Sequence, residues 1–334
     1  AGVIYYDQNI TLAEELGSII GNGLDSVFFT QSGTEAVEAA LKCASYVRNK
    51  QQMIAFKGSF HGRTLGALSV TTSNKKYHDR YSLAFPNPIV LDYPYYIQNE
   101  APLNTEDGYL TYLKQALTDI DASNVAAVII EPVIGEGGYV PAPAPVLQMI
   151  RDWCSDTGVL LIFDEIQSGI GRTGEWFYFQ HYGIMPDILT TAKGIASGLP
   201  LGACISSQSI MDQWTTGSHG GTYGGNPLSC VAGSATLSVI KPLLPQIQQL
   251  GDFAIDHLRS NLESHPNVRE IRGKGLMIGI EFVEDSNQQP ASELVSTILS
   301  ECLNQQLLIV SCGIHRNVVR LMPPLTISST ELKD

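Results

Sequence analysis

Short apolar, β-branched runs alternate with amphipathic stretches up to about residue 240 of this chain. This alternation predicts βαβ units built around a mostly parallel sheet. The predicted strands cover residues 26–30, 53–56, 125–131, 159–165, 187–190 and 201–206. Apolar positions at helical spacing predict a helix over residues 34–48, and a second helix over residues 145–157 begins with proline and ends before a glycine. This part of the chain is therefore expected to be α/β, with helices flanking a central sheet.

The pattern changes after the prolines between Lys241 and Pro245, which interrupt a helical run. Beyond them a helix is predicted over residues 246–264, strands over 268–271 and 276–283, and another helix over 291–306. The sequence thus predicts a large domain over residues 1–245 and a smaller α+β domain over residues 246–334. Near the end, residues 328–334 have the pattern of a helix cap and a first turn.

Composition narrows the class of protein. The 334 residues, 44% hydrophobic and 16% charged, are typical of a folded globular chain. Lys and Arg number 20 and Asp and Glu number 33, so the net charge is −13, and such an acidic surface repels nucleic-acid phosphates and anionic lipids. No apolar run approaches the roughly 20 residues of a membrane-spanning helix. We therefore expect neither a nucleic-acid partner nor a membrane partner.

The spacing of cysteine and histidine argues against metal and disulfide chemistry. The 6 cysteines lie far apart and form no C-x-x-C pair, which disfavours a zinc site or a dense disulfide framework. The 7 histidines show neither metal-ligand spacing nor a neighbouring nucleophile motif. We expect no metal, and a reducing, cytoplasmic location.

Two turns are candidates for binding a phosphate. In the sequence QSGTEA over residues 31–36, with Gly33 and Thr34 at its centre, a strand ends and a helix begins, so free amides meet the positive end of the helix dipole. An ordinary N-cap explains the same residues. The second turn is the glycine-rich loop over residues 220–227, where backbone amides and Thr222 could bind a phosphate. A tight structural loop is the alternative there.

Asp164 and Lys193 follow two of the predicted strands. The carboxyl ends of strands in an open parallel sheet line one crevice, so both residues could face the same ligand. Lys193 has no other charged residue for several positions on either side. Desolvation in such a setting lowers the pKa of a lysine and frees its amine to form a Schiff base. A lysine at the crevice rim, with its ammonium group in water, is the alternative.

Residues 169–174, GIGRTG, match the G-x-G-x-x-G pattern of dinucleotide-binding turns. The preceding strand ends in Asp-Glu, further residues come before the first glycine, and no acidic residue closes a following strand at the expected distance. We therefore give this match little weight, although a nicotinamide-dependent dehydrogenase stays an alternative at the level of the fold. The aromatic run WFYF over residues 176–179 indicates packing rather than cofactor support.

Charged residues near strand ends indicate anion binding. The sequence FHGR places Phe60 beside Arg63, and Arg320 lies in the otherwise apolar sequence VVRL. An arginine in such company needs an anionic partner, and a bidentate carboxylate is the natural one. Glu131 and Glu136, which follow another predicted strand, are candidate partners on the substrate side of the site. Structural salt bridges are the alternative for each arginine.

Taken together, these motifs resemble the class III aminotransferases, which have fold type I and use pyridoxal phosphate. The resemblance runs from about residue 11 to residue 328. The motifs occur in the order of the family: SGTEA, FHGRT, EPVIGEGG, FDEIQSGIGRTG, TTAKGIASGLPLGA, GGTYGGNP and NVVRLMPPLTI. An ordered set is far more specific than any single motif. The resemblance implies a fold-type I transferase with pyridoxal phosphate as its cofactor.

The resemblance also implies roles for individual residues. Lys193 would form the covalent link to the cofactor and later move the proton between substrate and cofactor. Asp164 would pair with the pyridine nitrogen and keep the ring protonated, which suits it to accept electrons. Phe60 would stack on the ring, and Gln167 would hydrogen-bond near the ring hydroxyl.

The cofactor phosphate has two implied binding elements. Gly33 and Thr34 would bind it at the helix start, and Thr222 would reach the phosphate of the neighbouring subunit. The resemblance therefore implies a homodimer with shared active sites.

For the substrates, the resemblance implies that Arg320 binds the α-carboxylate of 2-oxoglutarate or glutamate. Glu136 would neutralise Arg320, as a removable gate, when an ω-amino donor has no α-carboxylate. Arg63 would bind the distal carboxylate. The approach to the arginine over residues 311–320 resembles 4-aminobutyrate aminotransferases more than acetylornithine aminotransferases. We therefore expect transfer from 4-aminobutyrate, or a near relative, to 2-oxoglutarate in two ping-pong half-reactions.

Several alternatives stay open. Family members typically carry several tens of further residues at the N-terminus, in a segment that packs over the active site and contributes to donor selection. We expect that segment, and a final helix of the small domain, to be missing here. The rival functions are an acetylornithine or ornithine aminotransferase, a glutamate-1-semialdehyde aminomutase, and a catalytically silent cofactor-binding module used for dimerisation. The presence of both Lys193 and Asp164 argues against the silent module.

Overall fold

The computed structural model describes residues 4–21, 23–79, 81, 85–95, 100–286 and 288–333. In chain order the strands are Ser26–Thr30 (β1), Gln52–Phe56 (β2), Ile89–Leu91 (β3), Val125–Ile130 (β4), Val133–Ile134 (β5), Val140–Pro141 (β6), Leu160–Asp164 (β7), Ile188–Thr191 (β8), Gly202–Ser206 (β9), Val268–Lys274 (β10), Met277–Phe282 (β11), Val310–Cys312 (β12) and Val318–Leu321 (β13). The α-helices are Asp7–Ile20 (α1), Gly33–Arg48 (α2), Leu65–Val70 (α3), Glu106–Asp119 (α4), Ala144–Thr157 (α5), Gln208–Met211 (α6), Pro227–Ile240 (α7), Leu244–Leu262 (α8), Ser292–Asn304 (α9) and Ser329–Lys333 (α10). Short 3₁₀ turns cover Lys75–Tyr77, Ala122–Asn124, Tyr178–His181, Lys193–Ala196 and Lys241–Leu243.

Within the described ranges, 7 strands form a central sheet in the order β1-β9-β8-β7-β4-β2-β3. Neighbouring strands are parallel except at β9, which is antiparallel to both β1 and β8. Strands β4 and β7 are buried along their whole length, as expected when helices cover both faces of a sheet. The mostly parallel sheet is confirmed, and the 6 strands predicted for it end within one residue of the observed bounds.

Helix α2 illustrates how local sequence sets an element that the site needs. Ser32 adopts an extended backbone and its side chain accepts a hydrogen bond from the amide of Glu35, which caps the helix start. Asn49 ends the helix in the left-handed region, with φ of 50°. Small apolar side chains on one face, such as Ala40, are fully buried against the sheet. The N-cap interpretation of residues 31–36 is therefore confirmed.

A second, antiparallel sheet of 4 strands, in the order β10-β11-β13-β12, is formed by the later described residues. Helices α8 and α9 pack on it through an apolar cluster. Ser328 and Glu331 form a capping box at the start of α10, with Glu331 N 3.2 Å from Ser328 Oγ and Ser328 N 2.9 Å from Glu331 Oε2. The predicted α+β unit and the final cap are thus present, whereas the domain boundary at residue 245 stays a prediction.

One helical stretch of the described chain, Pro227–Leu262, is long and apolar enough to cross a membrane by length and composition alone. The prolines that follow Lys241 predict a break within this stretch. In the structure α7 and α8 meet there through a 3₁₀ turn, and the buried residues of α7 and those of α8 belong to different apolar clusters. We therefore interpret the stretch as two packing helices of a folded chain.

Arg172 joins the two sheets. Its guanidinium Nη1 donates to the carbonyl of Pro323 at 2.6 Å and to that of Leu276 at 3.2 Å, and the Leu276 amide donates to the Arg172 carbonyl at 3.1 Å. Burial lowers the pKa of Arg172 to about 10. The loop after β7 is thereby fixed against the small sheet, so residues from both sheets can border one site.

Candidate active site

The segments that follow 5 parallel strands line one cavity of about 300 Å³. They come together because the carboxyl ends of parallel strands lie at one edge of a sheet. The lining residues are Gly33, Thr34, Phe60, His61, Gly62, Arg63, Glu131, Asp164, Ile166, Gln167 and Lys193. A neighbouring cavity of about 650 Å³ shares Ile166, Gln167 and Lys193, so the two form one cleft around Lys193. The structure thus places together most of the residues that the sequence singled out.

Asp164, the last residue of β7, is buried and firmly held. Its Oδ2 lies 2.7 Å from Nδ1 of the buried His61. Its Oδ1 accepts hydrogen bonds from the amide of Ile166 at 3.1 Å and the hydroxyl of Thr190 at 3.3 Å. A carboxylate fixed in this way at a cavity wall is suited to pair with a cationic ring nitrogen.

Lys193 follows β8 and begins a 3₁₀ turn with φ of +45°, a left-handed conformation that residues other than glycine rarely adopt. It is exposed where it lines both cavities of the cleft. Loss of hydration lowers the pKa of Lys193, while the carboxylates of Asp164, Glu131 and Glu136 oppose that change. The amine is therefore suited to attack an aldehyde.

Unpartnered polar atoms in the wall fit a flat ligand with polar edges. Gln167 Oε1 and His61 Nε2 are buried and have no hydrogen-bond partner within the described part of the chain. A Cβ at Gly135 would overlap the amide oxygen of Gln167, so glycine is required beside it. Phe60 and Ile166 supply apolar surface to the same wall. This donor set fits pyridoxal phosphate, which Gln167, Asp164 and Lys193 would hold.

The phosphate of such a ligand fits the start of α2. Backbone amides of a first helical turn lack partners inside the helix and attract anions. A Cβ at Gly33 would lie 3.0 Å from two side-chain carbons of Ile166, so a larger residue would crowd this position. Thr34 Oγ1 lies 2.8 Å from Thr64 Oγ1 and also accepts from the Thr64 amide at 3.3 Å. The N-cap therefore does not exclude an anion at the same turn, and the phosphate site there stays a prediction.

Glu131 has a different role from the one that the sequence suggested. Its Oε1 accepts the Phe60 amide at 2.8 Å and its Oε2 accepts the Gly135 amide at 3.0 Å. Burial raises the pKa of Glu131 to about 7, with His61 opposing and Asp164 adding to the rise. No ion pair joins Glu131 to an arginine in the described residues, so that expectation is wrong. Because both oxygens accept backbone amides, Glu131 instead connects two loops of the wall.

Arg320 and Glu136 form an ion pair across the two sheets. Arg320 lies on β13, Glu136 lies in the turn between β5 and β6, and Nη1 is 2.9 Å from Oε1. The predicted carboxylate partner is confirmed, but the contact uses one oxygen and is not bidentate. Arg320 Nε is buried without a partner among the described atoms. Burial alone would lower the pKa of Arg320, but the Glu136 charge outweighs burial and raises it.

The ion pair borders a cavity of about 340 Å³. The ring of Tyr139 lies 5.9 Å from Arg320 Cζ and supports the guanidinium from the side. An arginine that makes one hydrogen bond to Glu136 and lies beside an open cavity can bind a second carboxylate if Glu136 moves away.

Arg63 lies exposed at the rim of the cleft. Its Cζ is 4.6 Å from the ring centre of Tyr77 and 5.7 Å from that of Phe60, and Nη2 is 3.3 Å from the Tyr77 hydroxyl. No ion pair involves Arg63 among the described residues. Its charge is therefore stabilised by aromatic faces, and it is placed to meet an anionic substrate.

Two sequence features lie elsewhere. Thr222 is exposed in its glycine-rich loop and does not line the cleft of this chain, so its role toward a neighbouring subunit stays a prediction. The GIGRTG sequence forms turns rather than the start of a helix. A Cβ at Gly171 would lie 2.7 Å from a side-chain carbon of Ile240, so this glycine serves packing against α7. The low weight given to a dinucleotide turn was justified.

The sequence alone assigned no role to three residues of the wall, His61, Gly62 and Ile166. His61 lies inside the quoted FHGRT motif, but nothing in the sequence shows that it contacts Asp164, which is 103 positions away. Ile166 lies two residues after Asp164, in the turn that follows β7, and its amide donates to Asp164 Oδ1. Strand alternation ends with β7 and gives no sign that Ile166 packs against Gly33 at the start of α2.

The fold and this arrangement of side chains define a pyridoxal-phosphate-dependent transferase of fold type I. The chain belongs to the class III aminotransferases, since the family model described as aminotransferase class-III matches residues 1–334.

Curated relatives differ in their named substrates. An acetylornithine aminotransferase of Clostridium acetobutylicum is 36% identical, over 98% of this chain and 79% of that protein. A 4-aminobutyrate aminotransferase of Escherichia coli is 34% identical, over 99% of this chain and 78% of that protein. Among solved structures, an (S)-enantioselective omega-transaminase from Thermomicrobium roseum has a TM-score of 0.90 and 31% identity, covering 100% of this chain and 78% of that one. These similarities establish an aminotransferase and leave its donor to be argued from the site.

Proposed function

We propose that this enzyme transfers the amino group of an ω-amino acid resembling 4-aminobutyrate to 2-oxoglutarate. The observation that carries the proposal is the 2.9 Å ion pair between Arg320 and Glu136 beside the cleft. A donor with no α-carboxylate gives Arg320 nothing to bind, so an internal carboxylate is needed to balance its charge. Glutamate and 2-oxoglutarate each carry an α-carboxylate that can balance the charge of Arg320 instead.

The cofactor supplies an electron sink for the electrons released when a substrate C–H bond breaks. Asp164, held by His61 and Thr190, stabilises positive charge at the ring nitrogen. Lys193, with its lowered pKa, removes and returns the proton at the reacting carbon. Phe60 and Ile166 hold the ring from the apolar side, and the start of α2 binds the phosphate.

Arg63 binds the carboxylate at the far end of the substrate. It can do so for both 4-aminobutyrate and 2-oxoglutarate, since each has a carboxylate there. Arg320 then distinguishes the two half-reactions. It stays paired with Glu136 when the ω-amino donor binds, and it exchanges Glu136 for the α-carboxylate when 2-oxoglutarate binds.

The second candidate is an acetylornithine or ornithine aminotransferase. It is favoured by the split among relatives, since a protein named for acetylornithine is 36% identical to this chain. Acetylornithine and ornithine carry an α-carboxylate at the end remote from the reacting amine, and Arg63 would serve that group equally well. The Arg320–Glu136 pair therefore supports an ω-amine donor in general, and a donor panel must separate its members.

We also propose a homodimer with shared sites, in which Thr222 of each subunit contacts the cofactor phosphate of the other. Exposure of this glycine-rich loop supports the proposal. All 6 cysteines are free thiols, which supports a reducing, cytoplasmic location. The partners expected are small amino and oxo acids.

The test compares the two half-reactions in the wild type and in Glu136→Gln. Loss of the Glu136 charge leaves Arg320 unpaired when 4-aminobutyrate binds, so kcat/KM for that donor should fall at least about tenfold. The kcat/KM for 2-oxoglutarate should instead rise at least about threefold, because its own carboxylate pairs with Arg320 and no longer has to displace Glu136. The exposed Glu263→Gln serves as the control variant and should change neither value.

A panel of 4-aminobutyrate, N-acetylornithine and ornithine then names the donor. The highest kcat/KM is expected for 4-aminobutyrate. A clear preference for N-acetylornithine would favour the second candidate, and equal loss of both half-reactions in Glu136→Gln would contradict the gate.

A further inference from the structure

The turn that carries Glu136 is held from the small sheet by a second arginine. Arg272, on β10, donates to the carbonyl of Gly138 from Nη2 at 2.6 Å and from Nε at 3.1 Å. The Glu136 carbonyl accepts the amide of Gly313 at 2.8 Å. One end of the turn is thus bound to β10 and the other to the residue that follows β12, independently of the Glu136 side chain.

The register of the small sheet explains this arrangement. Arg272 pairs with Gly279 on β11, and Gly279 pairs with Arg320 on β13, so the two arginines flank a glycine in one row across the sheet. A Cβ at Gly279 would lie 3.1 Å from Tyr139 Cβ and 3.3 Å from the Gly138 carbonyl oxygen. The turn therefore occupies the space that Gly279 leaves open, between the two guanidinium groups.

Arg272 has no N–H left for a substrate. Its Nη1 contacts Glu281 Oε2 at 2.7 Å and Glu270 Oε2 at 2.6 Å, and Nη2 also donates to the Tyr95 hydroxyl. The Tyr95 ring centre lies 4.6 Å from Arg272 Cζ. Arg272 and Glu281 are buried, so the group is a closed network. Arg272 cannot bind substrate as placed and can act only through the turn.

We propose that Arg272 is a positioning residue that sets how readily Glu136 leaves Arg320, and thereby the preference between substrates with and without an α-carboxylate. The inference rests on the proposed function. By fixing the Gly138 carbonyl, Arg272 keeps Glu136 within reach of Arg320 and favours the paired arrangement. An incoming α-carboxylate must displace Glu136 while Arg272 holds the turn in place. A turn that is held less tightly therefore favours binding of a dicarboxylate such as 2-oxoglutarate.

The test measures binding of two unreactive acids, glutarate and valerate, to the cofactor-loaded enzyme by titration calorimetry. The acids have equal carbon number, and only glutarate has a second carboxylate that can replace Glu136. Arg272→Lys keeps a positive charge near Glu281 and Glu270 but loses the fork that reaches Gly138. Arg272→Lys should increase the affinity for glutarate about three- to tenfold and change the affinity for valerate by less than about twofold.

Two further variants separate a positioning role from a structural one. In the Glu136→Gln background, Arg272→Lys should no longer change the affinity for glutarate, because Arg272 acts through Glu136. Arg151→Lys is the matched control, because Arg151 also binds a carboxylate, that of Asp187 at 2.9 Å, and a carbonyl, that of Met185 at 3.3 Å, on the large domain. It should leave both acids unchanged.

Each outcome has a distinct meaning. If Glu136→Gln alone does not tighten glutarate, the gate of the proposed function fails. If Glu136→Gln does tighten the binding of glutarate, three results would overturn the positioning role of Arg272. They are an unchanged affinity for glutarate in Arg272→Lys, a lowered affinity, and a change in affinity that is equal with and without Glu136→Gln. Should Arg272→Lys not fold, Glu270→Gln replaces it, since the Glu270 side chain is 35% exposed. It should tighten glutarate in the same direction, and no change would contradict the inference.

Discussion

At the scale of single residues, Lys193 combines a strained backbone with a poorly hydrated amine. Its φ of +45° is unfavourable for a side chain with a Cβ, and such strain persists where the surrounding structure determines it. Burial disfavours the ammonium form, and Asp164 and Glu131 partly restore it. The net effect is a pKa of Lys193 below the ordinary value for a lysine, which makes its amine a better proton acceptor.

The reactivity of Lys193 can be measured without cofactor. A small amine-reactive reagent should modify it with a half-maximal rate at a pH below about 10.4, the ordinary pKa of a lysine, because burial lowers the pKa of Lys193. Asp164→Asn should shift the midpoint lower still, since the Asp164 carboxylate stabilises the ammonium form. Peptide mass spectrometry gives the rate at each lysine, with the exposed Lys57 as reference. An upward shift in Asp164→Asn would contradict the electrostatic account.

His61 should matter through Asp164. His61→Leu removes the 2.7 Å contact to Asp164 and should weaken cofactor affinity about tenfold or more, the usual effect of losing a hydrogen bond to a charged group. His61→Asn should restore most of the affinity, because its amide nitrogen can occupy the position of Nδ1. A fluorescence titration with pyridoxal phosphate measures both. Equal loss in the two variants would indicate a packing role for His61 instead.

The ordered motifs already indicate most of the residues that line the cleft, and the contacts that they do not indicate have physical causes. Lys193, Asp164 and Gln167 lie in motifs next to strand ends, where topology brings side chains together. The contacts of Glu131 with two backbone amides could not be predicted, because an acidic residue after a strand looks the same whether it binds a loop or a substrate.

At the scale of elements, the loop after β2 packs closely against the start of α2. Gly62 has φ of +136°, and a Cβ there would overlap Thr34 Oγ1 in the first turn of α2. The loop that carries Phe60 and Arg63 can therefore approach the phosphate turn only through a glycine.

Gly62→Ala should disturb both elements at once. The overlap must displace Thr34, so cofactor affinity should fall at least about tenfold, as expected when a binding group moves by about 1 Å. Gly183→Ala is the matched control, because Gly183 has φ of +70° but no atom within 4 Å of an added Cβ. It should lower thermal stability only modestly and leave affinity unchanged. If both variants bind the cofactor like the wild type, this close packing does not position the phosphate turn.

The elements that the sequence did not predict are short or amphipathic. Strand β3 has 3 residues at the edge of the large sheet, and β12 has 3 at the edge of the small one, so neither offers a clear period. Helix α4 buries only one face, with Tyr109, Leu113 and Leu117 inside. Central strands such as β4 are apolar throughout, which is why their bounds were predictable.

At the scale of the whole molecule, an acidic chain buries carboxyl groups that it must keep uncharged or well bonded. The net charge is −13, yet Glu165 is fully buried beneath the active-site loop. Its oxygens accept from the amides of Tyr178 and Phe179 and from the Ser168 hydroxyl. Burial nevertheless raises the pKa of Glu165 to about 7.

This buried carboxyl makes stability depend on pH in a defined direction. The folded-state pKa of about 7 exceeds the usual 4.5, so the folded state binds the proton more tightly. The contribution is fully present below about pH 4.5 and is lost as the pH rises through 7, with a total on the order of 3 kcal/mol. Urea titrations from pH 5 to 8 should show a decline in the wild type that is flatter in Glu165→Gln. A steeper decline in Glu165→Gln would contradict this assignment.

The two-sheet organisation could be predicted from the change of pattern near residue 245, but the joining of the sheets could not. Arg320 and Glu136 are 184 positions apart, and Arg272 and Gly138 are 134 apart. Periodicity shows which face of an element is apolar and nothing about which distant turn packs on it. These long-range contacts are where substrate discrimination is argued to reside.

The central claim is amino transfer from an ω-amino acid to 2-oxoglutarate, and isotope transfer tests it most directly. The purified enzyme with pyridoxal phosphate is incubated with 15N-labelled 4-aminobutyrate and unlabelled 2-oxoglutarate, and the glutamate formed is analysed by mass spectrometry. We expect 15N-glutamate from the wild type and none from Lys193→Ala. Absence of labelled glutamate from the wild type, or equal labelling with Lys193→Ala, would contradict the account.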